Sequence, residues 1–214
     1  MSEEIVFYFN PRSRAQMVHW MLEEVSAPYR TVLIDLDKKE NRAPEFLAIN
    51  PMGKLPTITW RGTVVTETAA IIAFLADAFP EAQLAPALDD PLRGPYYRWL
   101  FFGAGCVEPA LVDRMFKRPE PPIKGALGYG NYESVVGALK LALTSNAYIA
   151  GPRFTAADLY IGSLIYWAGK IGADRFNEER VFTDYVARLS KRPAWRRSIA
   201  KDSESFKSNE RAAS

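Results

Sequence analysis

Cysteine and histidine are almost missing from this chain of 214 residues, which has one of each, Cys106 and His19. A single cysteine excludes an internal disulfide and any cysteine-based zinc knuckle. One histidine leaves too few soft ligands for a transition-metal site, so no metal is expected. No apolar run approaches the ~20 residues that span a bilayer. The opening Met1-Ser2-Glu3-Glu4 lacks the basic start and apolar core of a secretory leader. The expected setting is reducing and cytoplasmic, away from membranes. Charge of one sign is also not in excess: 27 Lys and Arg against 25 Asp and Glu leave +2. That balance argues against nucleic acid or an anionic membrane as principal partner. What the chain does have is apolar content, 48% beside 24% charged, enough for one sizeable core or two small ones.

Strand signals are confined to the first third. Ile5 to Phe9 is rich in β-formers, and Arg14 to Val25 carries Ala15, Val18, Leu22 and Val25 on one helical stripe. Tyr29 to Ile34 reads as a second strand, completing a βαβ unit. After a polar stretch with a short helix near residues 44–49, Thr57–Trp60 and Thr63–Val65 flank Arg61-Gly62 as a hairpin. A helix follows from Ala69 to Phe79. The order βαβ, short helix, ββα is that of a thioredoxin-like α/β domain over residues 1–80. Residues 81–91 read as a linker, and 92–214 as an all-α domain. Its first helix, residues 92–118, is expected to kink where Gly103, Gly105 and Pro109 weaken it. Pro119 to Gly130 must be a loop, Tyr132 to Leu143 a helix, and the polar tail from Lys201 a frayed end. Thr155-Ala-Ala-Asp158 has the spacing of a capping box, with Phe154 and Leu159 at the positions of a hydrophobic staple.

The most informative stretch is Asn50-Pro-Met-Gly-Lys-Leu-Pro56, a loop that opens directly into a strand. Proline gives no N–H to a sheet ladder, so Pro56 belongs at the first residue of the strand, and Leu55-Pro56 is a candidate cis peptide. In that geometry the Leu55 N–H and C=O turn out of the sheet, free to pair with an extended peptide. Thr66-Glu67-Thr68 then opens a helix, whose N-terminal N–H groups hold a carboxylate well. Glu67 beside them can accept hydrogen bonds from an ammonium group. The pair suits the head of an α-amino acid.

Asn50-Pro51-x-Gly53-Lys54-Leu55-Pro56, a hairpin, and Glu67-Thr68 before a helix resemble the glutathione-binding half of the soluble glutathione transferases, bacterial members included. The resemblance extends along essentially the whole chain. It implies that Leu55, ahead of Pro56, pairs with the cysteinyl part of glutathione, and that Glu67 and Thr68 bind the γ-glutamyl head. Lys54, with Lys39, would reach the glycyl carboxylate. It further implies a homodimer, glutathione as co-substrate and no metal.

The family's chemistry needs a thiolate. Lowering a thiol pKa from ~8.5 by roughly two units takes about 3 kcal/mol of preferential stabilisation. A hydroxyl donor and a helix N-terminus can supply it. Three residues near the end of the first strand compete for the role: Ser13, then Tyr8, then Asn10. By resemblance, Tyr8 aligns with the catalytic tyrosine of pi-type chains and Asn10 with the catalytic serine of theta-type chains. Ser13 sits in a Ser-Arg pair at the helix start, as in many bacterial members. Asn10-Pro11-Arg12-Ser13 is also similar to a glutaredoxin loop with both cysteines replaced, which disfavours thiol–disulfide exchange. A small hydrophobic electrophile is expected against the long helix, where Tyr97, Phe101 and Met115 are candidates, and Trp99, Phe102 and Phe116 add aromatic surface. The alternatives are a non-catalytic glutathione- or ligand-binding module and a glutathione-dependent peroxidase.

Overall fold

The computed structural model describes residues 4–119 and 121–213 and divides into two compact units, residues 1–82 with 192–214, and residues 83–191. In the first unit, β1 (Ile5–Phe9) buries Ile5, Phe7 and Phe9 and leaves Val6 and Tyr8 half-buried, the alternation of a strand with two differently covered faces. It leads into α1 (Ala15–Val25) and the parallel partner β2 (Tyr29–Leu33). A short α2 (Pro44–Leu47) precedes β3 (Thr57–Trp60), β4 (Thr63–Thr66) and α3 (Thr68–Ala78). The sheet order is β2-β1-β3-β4, with β3 antiparallel to both neighbours. Arg61 and Gly62 take φ of 50° and 82°, the positive values a tight two-residue hairpin requires. The α/β thioredoxin-like order expected of this half is present.

The second unit is helical. It contains α4 (Arg93–Phe102), a π-helical turn (Gly103–Val107), α5 (Glu108–Met115), α6 (Tyr132–Ser145), α7 (Ala156–Lys170), α8 (Arg175–Glu178) and α9 (Arg180–Leu189). The long helix expected over 92–118 is present as an unbroken helical run from Arg93 to Met115, and its expected weak point is the wider π-helical turn. Gly103 lies so close to α7 that a Cβ there would meet the Tyr160 ring at 2.6 Å, and Pro109 stands in the first turn of α5, where a missing N–H is harmless.

The capping box at the start of α7 is present. The Thr155 N–H donates to Asp158 Oδ2 at 2.9 Å, and the Thr155 hydroxyl meets the same oxygen at 3.0 Å. Two further donors converge on Oδ1: the Ile149 N–H at 2.6 Å and the Tyr185 hydroxyl at 2.8 Å. Burial pushes the Asp158 carboxyl up, and these donors pull it back. Its role is to hold a loop and two helices together.

The C-terminal segment departs from the expected grouping and from the expected frayed tail. α10 (Pro193–Ala213) packs on α1 in the first unit. Trp20 and Trp195 meet edge to face with centroids 4.6 Å apart, and Arg192 grips Glu24 at 2.6 and 2.8 Å. Lys201 and Asp202 enter a polar network instead of fraying. His19, 2% exposed, contacts Asp202 through Nδ1 at 2.5 Å and the Tyr29 hydroxyl through Nε2 at 2.8 Å. Tyr29 donates to Glu23 at 2.5 Å, while Lys201 at 2.5 Å and Arg197 at 2.7 Å close around the same carboxylate. Burial alone would raise the Glu23 pKa, but Lys201, Tyr29 and Arg197 outweigh it and bring the group down to about 2. The polarity that reads as a solvated tail is the docking chemistry of this helix, with partners far away in sequence.

Candidate functional site

The loop before β3 is built by asparagine. Asn50, 2% exposed, accepts the Met52 N–H at 3.1 Å through Oδ1. Its Nδ2 donates to the Lys54 carbonyl at 2.9 Å and to Thr57 Oγ1 at 3.0 Å. Asn41 ties the other side, donating to the Gly53 carbonyl at 2.9 Å. Gly53 has φ +61°, and a Cβ there would come within 2.6 Å of the Asn41 carbonyl oxygen, so a side chain has no room. The Leu55–Pro56 peptide is cis. β3 begins only at Thr57, and neither the N–H nor the C=O of Leu55 has a hydrogen-bond partner among the described residues. The support from Asn41 and Asn50 is invisible in sequence, where the only trace is an Asn-Pro dipeptide favouring a turn.

The start of α3 is open as well. Its first helical bond runs from the Ile71 N–H to the Glu67 carbonyl at 2.9 Å, and among the described residues no side chain caps the preceding N–H groups. Glu67 is exposed, with φ 66° and ψ 120°, a sparsely populated conformation of the kind that gathers at ligand sites. Thr68 is half-buried. The ladder makes Thr57 the partner of Thr66 and of Tyr8. Leu55 precedes Thr57, Thr68 follows Thr66, and the Asn10–Ser13 turn follows Tyr8. All three therefore leave the sheet at the same end.

The three candidate thiol donors differ in their commitments. Asn10 is fully buried; its Nδ2 donates to the Ile34 carbonyl at 2.8 Å and its Oδ1 accepts the Arg12 N–H at 2.8 Å. It is a turn former, spent on its own backbone. The Ser13 hydroxyl donates to the Asn10 carbonyl at 2.8 Å and accepts the Ala15 N–H at 3.2 Å, half-buried at the start of α1. Tyr8 packs edge-on against Phe46 with centroids 5.7 Å apart, and its hydroxyl has no hydrogen-bond partner among the described residues. Lys39 and Lys54 are exposed, Lys39 with φ 58°, and neither makes an ion pair among the described residues.

Of the apolar candidates in the second unit, Phe101 is 73% and Met115 40% exposed. The Tyr97 hydroxyl receives a hydrogen bond from Arg93 at 2.7 Å. Trp99 is core, at 2% exposure, and Phe116 is exposed. Cys106 is half-buried, and burial raises its thiol, which suits a small packing residue better than a nucleophile.

Residues 12–78 match the family model described as the glutathione S-transferase N-terminal domain. Over 188 residues the chain is 26% identical to glutathione S-transferase GstA of Escherichia coli O157:H7, covering 87% of this chain and 92% of that one. It is 30% identical over 159 residues to a probable maleylacetoacetate isomerase of Caenorhabditis elegans, covering 72% of each. Among solved structures, a sphingomonad glutathione S-transferase complexed with glutathione is 27% identical at a TM-score of 0.77, covering 92% of this chain and 98% of that one. A glutathione transferase family member from Pseudomonas fluorescens pf-5 with two glutathione bound is 27% identical at a TM-score of 0.73, covering 92% of each chain. The likeness runs through both units, and on it the chain belongs to the soluble glutathione S-transferase family.

Proposed function

We propose that this protein is a glutathione transferase that binds glutathione at the end of the sheet where Leu55 and Thr68 emerge, and activates its thiol. The observation that carries the reading is the uncommitted Leu55 backbone ahead of a cis Pro56. An extended peptide can pair with both groups, as a strand added to an edge does. Its amino-acid head then falls to the open N-terminus of α3, with the carboxylate on the N–H groups and the Thr68 hydroxyl and the ammonium on Glu67. Lys54 and Lys39 supply positive charge for the glycyl carboxylate. The first unit is thus the glutathione-binding domain on this reading, and the helical unit offers Tyr97, Phe101 and Met115 to a small hydrophobic electrophile.

Ser13 is the proposed thiol donor. Its hydroxyl lies at the start of α1, where the helix dipole also favours a thiolate, and it needs only to rotate away from the Asn10 carbonyl. Tyr8 is the competing donor because its hydroxyl is uncommitted. Titration of the bound thiol by its thiolate absorbance, with conjugation of an activated haloaromatic, tests both. Ser13→Ala should raise the bound thiol pKa toward the free value of ~8.5 and lower kcat/KM, whereas Tyr8→Phe should leave the thiol pKa in place. The opposite pattern transfers the role to Tyr8. A wild-type thiol that titrates as in free solution, with no conjugation, identifies a non-catalytic binding module. A homodimer and a reducing, cytoplasmic setting complete the proposal, and sedimentation showing a monomer at micromolar concentration removes the dimer.

A further inference from the structure

The row of side chains that fastens α10 to α1 contains more acceptors than its ordinary protons can serve. Asp202, His19, Tyr29 and Glu23 are joined in that order by three contacts. Asp202 Oδ1 meets His19 Nδ1 at 2.5 Å, His19 Nε2 meets the Tyr29 hydroxyl at 2.8 Å, and that hydroxyl meets Glu23 Oε1 at 2.5 Å. Asp202, His19 and Glu23 are buried. The Phe7 and Phe9 rings of β1 pack on the imidazole with centroids 5.8 and 5.3 Å away. Its two nitrogens have no other hydrogen-bond partners among the described residues. The cations on the row both come from α10. Lys201 donates to Glu23 and, at 2.9 Å, to the Tyr29 hydroxyl, and Arg197 donates to Glu23.

Each of these three contacts needs a proton between its heavy atoms, since two bare acceptors at such distances repel. Burial raises the Glu23 pKa, but Lys201, Tyr29 and Arg197 bring it to about 2, so Glu23 is an ion that only accepts. Burial and Glu23 push the Tyr29 phenol up, so it keeps its proton and gives it to Glu23. The hydroxyl oxygen must then accept from His19, which puts a proton on Nε2. A neutral imidazole with Nε2–H has a bare Nδ1, so Asp202 would have to face it as a carboxylic acid. The alternative is an imidazolium beside a carboxylate. In both forms one proton lies between Nδ1 and Asp202 and belongs to the pair. Burial pushes the Asp202 carboxyl up while His19 draws it down, which suits a shared proton. Changing the tautomer does not remove the need. With Nδ1–H on Asp202 and the Tyr29 hydroxyl turned to Nε2, the 2.5 Å contact to Glu23 is the one left without a proton.

We infer that Asp202, His19, Tyr29 and Glu23 hold one more proton than the same side chains carry in water at neutral pH, and that this proton is a latch keeping α10 on α1. Removing it leaves two buried acceptors face to face, so base releases the helix. In the unfolded chain an ordinary imidazole gives up its proton near pH ~6.5. Above that pH the docked state binds a proton that the unfolded state does not. Stability therefore falls as pH rises, and levels off only where the docked row itself lets the proton go. Glu23 governs the acid side separately, so α10 is a strap with a release at each end of the pH range.

His19 is the chain's one histidine, so nitrogen NMR of the isotopically labelled wild-type chain reads this imidazole without ambiguity. At about pH 7.5, above the ordinary imidazole value, Nε2 should carry a proton and a second, far-downfield proton should couple to Nδ1. A bare Nε2 at that pH overturns the proposal. Urea unfolding of the full chain from about pH 6.5 to about 9 supplies the second readout. Wild type should lose up to about tenfold in its folding equilibrium per pH unit, the slope of one proton. Asp202→Asn places a permanent N–H against Nδ1 and serves all three contacts without the extra proton. Its stability should be flatter across the same window. Parallel wild-type and Asp202→Asn profiles overturn the latch. The imidazole spectrum is taken on wild type, so it decides the matter even if Asp202→Asn folds poorly. Neither readout involves glutathione, and both are independent of the transferase reading.

Discussion

Two helix N-termini of this protein solve the same problem in opposite ways. At α7, Asp158 is fully buried and gathers the Thr155 and Ile149 N–H groups together with the Thr155 and Tyr185 hydroxyls. At α3, the N-cap position is an exposed Glu67 at φ 66°, and among the described residues no side chain caps the free N–H groups. Every helix starts with unpaired donors. Where the protein satisfies them itself, the end is a structural joint. Where it leaves them open beside an unpaired strand backbone, they are available to a ligand. Sequence type does not separate the two, since both ends carry a threonine and an acidic residue.

The contrast is broken most severely by Asp158→Ala. It strands buried donors and should cost about 3–5 kcal/mol in chemical denaturation; a loss below about 1 kcal/mol would mean the joint is not what its bonds imply. Acid should act next, through α10. Glu23 has its pKa lowered from 4.5 to about 2, so the stability it contributes is complete above pH 4.5 and disappears as pH falls from there toward 2. Urea midpoints measured across that window should drop in wild type and flatten in Glu23→Gln. At the open helix end the readout changes from stability to binding. Glu67→Ala should weaken glutathione by roughly tenfold to a hundredfold in calorimetry, with a thermal midpoint close to wild type. Thr155→Ala, at the closed end, should cost about 1–2 kcal/mol and leave glutathione affinity alone. The smallest effect belongs to Thr68→Ala, at most a few tenths of a kcal/mol in stability and about a fivefold loss of affinity. A Thr68→Ala variant as unstable as Thr155→Ala would erase the distinction between the two ends.

Much of this architecture is legible from local pattern. The strand pattern of the first unit, the Arg61-Gly62 hairpin, the Leu55-Pro56 dipeptide and the Thr155–Asp158 box are all set by neighbours within a few residues. The long helix is legible only as a weakness at Gly103 and Gly105; that Gly103 packs where a Cβ would meet the Tyr160 ring shows only in the folded chain. Asn10 and Ser13 show the limit at the candidate site. Both are plausible donors by residue type, yet only the folded turn shows the Asn10 amide committed at both ends and the Ser13 hydroxyl resting on the Asn10 carbonyl.

By itself, the order of residues determined the thioredoxin-like half, the helical half and the motif linking them to glutathione transferases, because hydrophobic period, turn chemistry and capping act over short range. Tertiary structure alone decided that Asn50 and Asn41 hold the Leu55 loop, and that Lys201 and Asp202 bring α10 onto α1. Burial and charge pairing between distant segments set these outcomes, and a polar side chain carries no mark in sequence of the partner that will meet it.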